Sequence, residues 1–218
     1  MLRRLVVAAL AALSLCACAS TQSPERYDVI ISGGTVYDGS GGAPFVADVA
    51  IRGDRIAAIA NLAGVPAAQR VDAHGLAVSP GFINMLSWST ESLIEDGHSQ
   101  SDIRQGVTLE VMGEGESMGP LNEAMRAEMI RQQSYIHYDP TWTTLADYLD
   151  YLVTRGISTN VASYVGATTV RIHEVGYADR PPTPEELARM QDLVRQAMRD
   201  GALGVGSSLI YAPAFYAH

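Results

Sequence analysis

Metal-assisted hydrolysis takes its ligands from imidazole nitrogen, thiolate sulfur and carboxylate oxygen, and a catalytic zinc requires three protein donors with a fourth position open to water. That water, acidified by the ion, is the nucleophile. Two carboxylates sit where such a donor is useful: Glu114 and Glu116, in the run Gly113-Glu114-Gly115-Glu116-Ser117 that follows a strand-like segment at 107–112. They read either as donors at a strand end or as solvated loop acids. The histidines add little. His98 reads as a surface loop residue, and His137, just before the turn Tyr138-Asp139-Pro140, as exposed or packing. His173, in TVRIHEVG, is placed near a strand end, with a surface role and a site role both open; His218 is the last residue and has no assignable role. Both cysteines, Cys16 and Cys18, fall in the first eighteen residues, so the body of the chain has no disulfide and no thiolate donor. No Ser/His/Asp triad can be read. Gly204-Val205-Gly206 lacks the rest of a dinucleotide fingerprint, which makes close strand packing the better reading.

The elements that must position these groups change character at Pro80. Before it, short strands alternate with glycine turns: 28–32 and 35–37 around Gly33-Gly34, then 47–52 and 55–59 around Gly53-Asp54, a two-residue hairpin signal in which glycine supplies the positive φ. This reads as a small antiparallel β unit. After Pro80, strands expected at 82–88, 107–112, 160–165 and 203–210 are separated by helical segments at 99–105 and 122–133 and by two helices with clear start signals. One opens with the capping box Thr144–Asp147, closes at Gly156 and places Leu145, Tyr148, Leu149 and Leu152 on one face. The other opens with Thr183-Pro184-Glu185-Glu186, closes at Gly201 and turns Leu187, Met190, Val194, Ala197 and Met198 inward. Strands alternating with helices imply βα units and a parallel sheet, hence the α/β class.

Residues 1–19 read as an export signal of lipoprotein type. Arg3 and Arg4 form a charged start, and 5–15 is an apolar stretch too short to span a bilayer stably. Leu15-Cys16-Ala17-Cys18 fits a bacterial lipobox, which makes Cys18 the acylated first residue; Ala17-Cys18-Ala19 also fits ordinary secretory cleavage. The lipobox is preferred, because a cysteine at the end of such a stretch is otherwise unusual. The expectation is a protein of the cell envelope on the periplasmic side, lipid-anchored or secreted, touching the membrane through the anchor only. The formal net charge is −9 and all 15 basic residues are arginine. That balance argues against nucleic-acid binding, which needs a basic footprint.

The segment VSPGFINMLSW, 78–88, resembles the first barrel strand of the amidohydrolase superfamily, where PGFID is followed by a His-x-His pair. Here Asn84 takes the Asp position, and Leu86 and Trp88 take the two His positions. DVIISGGTVYDGSG, ADVAIRGDRIAAI, SDIRQGVTLEVMGEG, VGATTVR and ARMQDLVRQAMRDGALGVGSSLIYAP complete a resemblance, from Tyr27 to Ala217, to the N-terminal portion of the N-acyl-D-amino-acid deacylase (D-aminoacylase) branch. That resemblance implies an α/β fold in which 81–218 is the first half of a TIM-type (β/α)8 metal-dependent hydrolase barrel, a fold of roughly 250 residues. Part of a small β-sandwich, 27–80, precedes it. It also implies zinc and hydrolysis of a non-peptide C–N bond in a small-molecule N-acyl amino acid. In that branch a cysteine after the second strand, in a segment like GNCG, is a metal ligand; Glu114 is the candidate to replace it and Glu116 the alternate. A carbamylated lysine is excluded within the chain, which has no lysine. The family's remaining ligands, histidines on later strands and a late Asp, would fall beyond His218, so an incomplete chain inactive by itself is expected. The alternative is a non-catalytic envelope lipoprotein of the same fold that binds ligands or partners.

Overall fold

The computed structural model describes residues 26–217; the expected leader, with Cys18, lies outside them. The chain forms two compact units that divide between Pro80 and Gly81.

The first unit is a five-stranded mixed sheet centred on β1 (Tyr27–Val36). β2 (Phe45–Arg52) pairs antiparallel with β1, and β3 (Arg55–Ala60) antiparallel with β2, across the expected Gly53-Asp54 turn. On the other side of β1, β4 (Ala67–Asp72) and β5 (Ala77–Val78) run parallel to it. The expected antiparallel unit is therefore corrected to a mixed one. β4 reads AAQRVD and is exposed over most of its length, so it carries no apolar alternation by which a strand could be recognised. Gly33-Gly34 also does not end a strand. Pairing with β2 shifts between Ile31 and Gly34 while Gly33 takes φ 71°, so the glycines form a bulge inside one ten-residue strand. Asp48 fixes that bulge: its carboxylate accepts from Gly33 N at 2.8 Å and Leu62 N at 2.9 Å. Ile30, Ala50 and Leu62 make the small core.

In the second unit β6 (Phe82–Asn84), β7 (Val107–Met112) and β8 (Asn160–Ser163) form a parallel sheet in chain order. β9 (Val165–Gly166) pairs parallel with β10 (Val205–Gly206). Six helices occupy the connections: α1 (Ser92–Glu95), α2 (Gln100–Ile103), α3 (Glu123–Gln132), α4 (Leu145–Arg155), α5 (Ala167–Val175) and α6 (Pro184–Arg199). This is an α/β arrangement, as expected. Both capping boxes form, Thr144 with Asp147 and Thr183 with Glu186, and Gly156 closes α4 at φ 85°. Leu145, Tyr148 and Leu152 of α4 enter a core with Leu93, Ile94, Met112, Trp142, Val165 and Ala197. Trp142 anchors it, donating Nε1–H to Met118 O at 2.6 Å.

Four expectations are corrected here. β6 spans three residues rather than reaching 88: Asn84 Oδ1 accepts from Leu86 N at 3.2 Å in a local turn that interrupts the ladder, after which Ser87 N donates to Val111 O of β7 at 2.8 Å. The last strand is two residues rather than eight, followed by turns from Leu209 and a short 3-10 helix at Ala214–Tyr216. Leu187 and Met198 of α6 are exposed, and Met190, Leu193, Val194 and Ala197 do the packing. TVRIHEV is helix α5, so His173 sits in a last helical turn and not at a strand end.

Candidate functional site

The sheet of the second unit ends where β7 and β8 end together: Met112 is paired with Ser163, and Tyr164 N donates to Met112 O at 2.9 Å. The segment after β7 then lies across one face of the paired β9 and β10, and glycines make room for it. A Cβ on Gly113 would strike Tyr164 O, one on Gly166 would lie 2.6 Å from Glu116 Cα, and one on Gly206 would strike Gly113 O and lie 2.7 Å from Glu114 O. Gly204-Val205-Gly206 is thus a close-packing device, as its sequence suggested. Hydrogen bonds fix the segment further. Ser117 N donates to Thr169 Oγ1 (2.8 Å), Ser117 Oγ donates to Gly119 O (2.6 Å) and accepts from Gly166 N (2.9 Å), and Thr168 N donates to Gly115 O (3.0 Å). The backbone carrying Glu114 and Glu116 is held on every side while both side chains stand exposed.

Both face a cleft of about 420 Å³. Its apolar wall includes Met118, Leu121, Met125 and Met129, and Trp88 and Tyr177 bring aromatic rings. Glu91 and Glu128 join Glu114 and Glu116 on the lining, which includes no arginine or histidine. Glu91 is oriented by Tyr138, whose hydroxyl donates to Oε1 at 2.7 Å. Burial raises the Tyr138 pKa, and this hydrogen bond and the Glu91 charge raise it further. Tyr177 is also pushed up, by burial first and then by Glu128 and Glu116, which sets those two acids around one ring.

One carboxylate that sequence reasoning missed is Glu110, on β7 and fully buried. Its Oε2 accepts from Ser87 Oγ at 2.7 Å, and its Oε1 from Thr159 Oγ1 at 2.9 Å and Ser99 Oγ at 3.1 Å. Burial alone would raise its pKa; the hydroxyls of Ser87, Ser89, Thr159 and Ser99 outweigh that and hold it below the usual value. The anion is satisfied by neutral donors from three segments of chain. Ser87 and Trp88 line the cleft, so this buried knot also fixes the turn that presents Trp88. An acid inside a strand with serines at distant positions leaves no local signal; only the Val-Thr-Leu-Glu-Val-Met run, apolar but for Thr108 and a charge in its middle, marks Glu110 as unusual.

The described histidines are not brought to the cleft. His98 is exposed beside Asp96 (Nδ1 to Oδ1 2.7 Å), and His137 is exposed. His173 pairs with Glu174 at 2.9 Å, and Glu174 in turn meets Arg189 Nε at 2.5 Å, so this group ties α5 to α6. Leu86 and Trp88 are 52% and 67% exposed, and neither offers a lone pair suited to zinc. Among the described residues no three His, Cys, Asp or Glu side chains come together as a metal site.

No protein-family profile matches the chain. Curated proteins and solved structures do. It is 36% identical to a D-aminoacylase of Alcaligenes xylosoxydans xylosoxydans over 199 residues, which are 89% of this chain and 40% of that protein. It is 34% identical to an N-acyl-D-aspartate deacylase of the same organism, covering 88% and 39%. Among solved structures, a D-aminoacylase studied for its binuclear metal centre superposes with a TM-score of 0.78 at 34% identity, over 88% of this chain and 40% of that one. The N-acyl-D-glutamate deacylase of Bordetella bronchiseptica, complexed with zinc and a phosphonate that mimics the tetrahedral intermediate, gives 0.78 at 29% identity, over 89% and 41%. The chain spans about two fifths of the length of the curated relatives it matches.

Proposed function

The chain is homologous over most of its length to D-aminoacylase and the N-acyl-D-amino-acid deacylases of the amidohydrolase superfamily, and on that premise we propose that its cleft receives the C–N bond of an N-acyl-D-amino acid. The observation that carries this reading is position. The cleft lies beyond the ends of β7 and β8, where parallel α/β sheets place their sites, and its walls pair an apolar surface for an acyl group with fixed polar groups. We read 81–218 as the first half of a (β/α)8 barrel. Three parallel strands in chain order, each connected through helices, support that reading. Residues 27–80 we read as part of a small β-sandwich, supported by the exposed apolar residues Val46, Ile56 and Leu76.

Zinc is the metal implied by the relatives, one of which is described as complexed with it. The donors among the described residues do not by themselves make a complete site. Glu114, with Glu116 as the alternate, is our proposal for one oxygen donor. Its backbone is held by close packing and hydrogen bonds, so the carboxylate is offered from a fixed base. Titrating the purified chain with N-acetyl-D-leucine should change Trp88 emission, while no D-leucine is released with or without added zinc. Loss of the emission change would remove the cleft as the amide site; turnover above the metal-free control would show that the donors present suffice. A second reading, a non-catalytic binding protein of the same fold, is favoured by Leu86 and Trp88 at the end of the first strand.

For the leader, the proposal is a lipid anchor at Cys18 in the cell envelope. One acyl chain anchors only marginally, so stable retention needs the several chains of a lipoprotein. Mass spectrometry of the mature N-terminal peptide should find Cys18 first and acylated; an unmodified terminus at Ser20 would sink the idea.

A further inference from the structure

The cleft carries four carboxylates and no cation, and its relatives are matched to N-acyl-D-amino acids whose side chains are in two cases acidic, aspartate and glutamate. We infer that this cleft selects N-acyl-D-amino acids with a cationic side chain, an N-acyl-D-arginine or N-acyl-D-lysine, over neutral and acidic ones. The inference rests on the proposed identity of the cleft as the amide site and goes on to name its substrate class.

Two features of the lining lead to this class. The first is the distribution of charge. Glu91, Glu114, Glu116 and Glu128 line one cleft, yet no three acids among the described residues converge as they would on a metal ion. Glu91 takes a hydrogen bond from Tyr138, and Glu128 one from Gln132 Nε2 at 2.8 Å, so both are oriented by neutral donors. A spread of fixed negative charge suits an organic cation that can meet several acids in turn, and it repels a carboxylate side chain at the same place. The second is the aromatic and thioether surface between the acids. Trp88 and Tyr177 present rings on which a guanidinium or ammonium is attracted by the negative face. Met125 and Met129 give the adaptable apolar surface that the aliphatic stem of arginine or lysine covers. A neutral branched side chain would use only the second feature, and an acidic one would be opposed by the first.

The test is a binding series in which only the amino-acid side chain changes: N-acetyl-D-arginine, N-acetyl-D-leucine and N-acetyl-D-glutamate, titrated against the full chain by calorimetry and by Trp88 emission. D-Arginine should bind about tenfold tighter than D-leucine and D-glutamate weaker still, as one net favourable charge contact at partial solvent exposure allows. The preference should shrink in about 0.5 M salt, where the Debye length is only a few ångströms. It should also fall in Glu128→Gln, with N-acetyl-D-leucine binding in that variant close to that of the parent chain. Equal affinities for the arginine and leucine ligands, or a preference for glutamate, would overturn the charge selection while leaving the cleft as the amide site. If none of the three binds, the reading of the cleft itself fails and the inference with it.

Discussion

Glu110→Ala should lower the stability of the second unit by about 3 kcal/mol, because it leaves a cavity and removes the common acceptor of three buried hydroxyls. Both tryptophans, Trp88 and Trp142, belong to this unit, so urea unfolding followed by tryptophan emission reads it without the first sheet. Glu110→Gln keeps the shape and should cost less, about 1–2 kcal/mol, since the hydroxyls can turn to meet an amide. The two variants also separate charge from packing through pH. The Glu110 carboxyl is held below its ordinary value near 4.5, so it contributes stability above that value and loses it as pH falls through the lowered folded-state value. The stability difference between the parent chain and Glu110→Gln should be full at pH 6 and shrink on going to pH 3. A difference that stays constant over that range would mean that the group is not held as a favoured anion.

What the sequence could disclose about this fold follows from where each signal resides. The capping boxes at Thr144 and Thr183 are local chemistry, three residues apart, and both formed as written. β7 is an apolar run bounded by glycines and its limits matched. β4 failed for the opposite reason: its strand character comes wholly from pairing with β1, a long-range effect on six exposed residues. TVRIHEV has four β-branched residues that suit a strand, yet it is helical, because its entry is decided by the chain's partner segment. Thr168 N is bonded to Gly115 O, and Thr169 Oγ1 ties to Ser117.

The candidate site divides along the same line. Glu114 and Glu116 were visible from their place after a strand. Glu91 and Glu128 were not, since they reach the cleft from the turn before α1 and from α3, and only the folded chain brings them together. Glu110 escaped for a related reason: its partners lie 11, 23 and 49 residues away. The resemblance to the deacylases supplied the frame for these residues, but its own metal positions pointed to Leu86 and Trp88, so the chemistry had to be read from side chains that the frame does not specify.

The second large effect is expected at Gly206. Its place in β10, directly against the segment after β7, leaves no room for a methyl group: a Cβ would run into the carbonyl oxygens of Gly113 and Glu114, both backbone atoms that no rotamer change can move aside. Gly206→Ala should therefore cost about 2–3 kcal/mol, the range for forcing extra volume into a packed site. The cost should appear where the function is proposed. To relieve the contact, either β10 leaves β9 or the segment carrying Glu114 and Glu116 shifts out of its hydrogen bonds with Thr168, Thr169 and Gly166. Amide chemical shifts of Gly115 to Ser117 should change more than those of α4, and binding of the N-acetyl-D-amino acids should weaken beyond what lost stability explains. Gly42→Ala is the control, since its Cβ would meet only the Ser40 hydroxyl at 3.1 Å; it should stay within about 0.5 kcal/mol of the parent chain. If Gly206→Ala behaves like Gly42→Ala, the segment after β7 is not packed against the β9–β10 pair, and the fixed placement of Glu114 on which the proposed site depends would have to be abandoned.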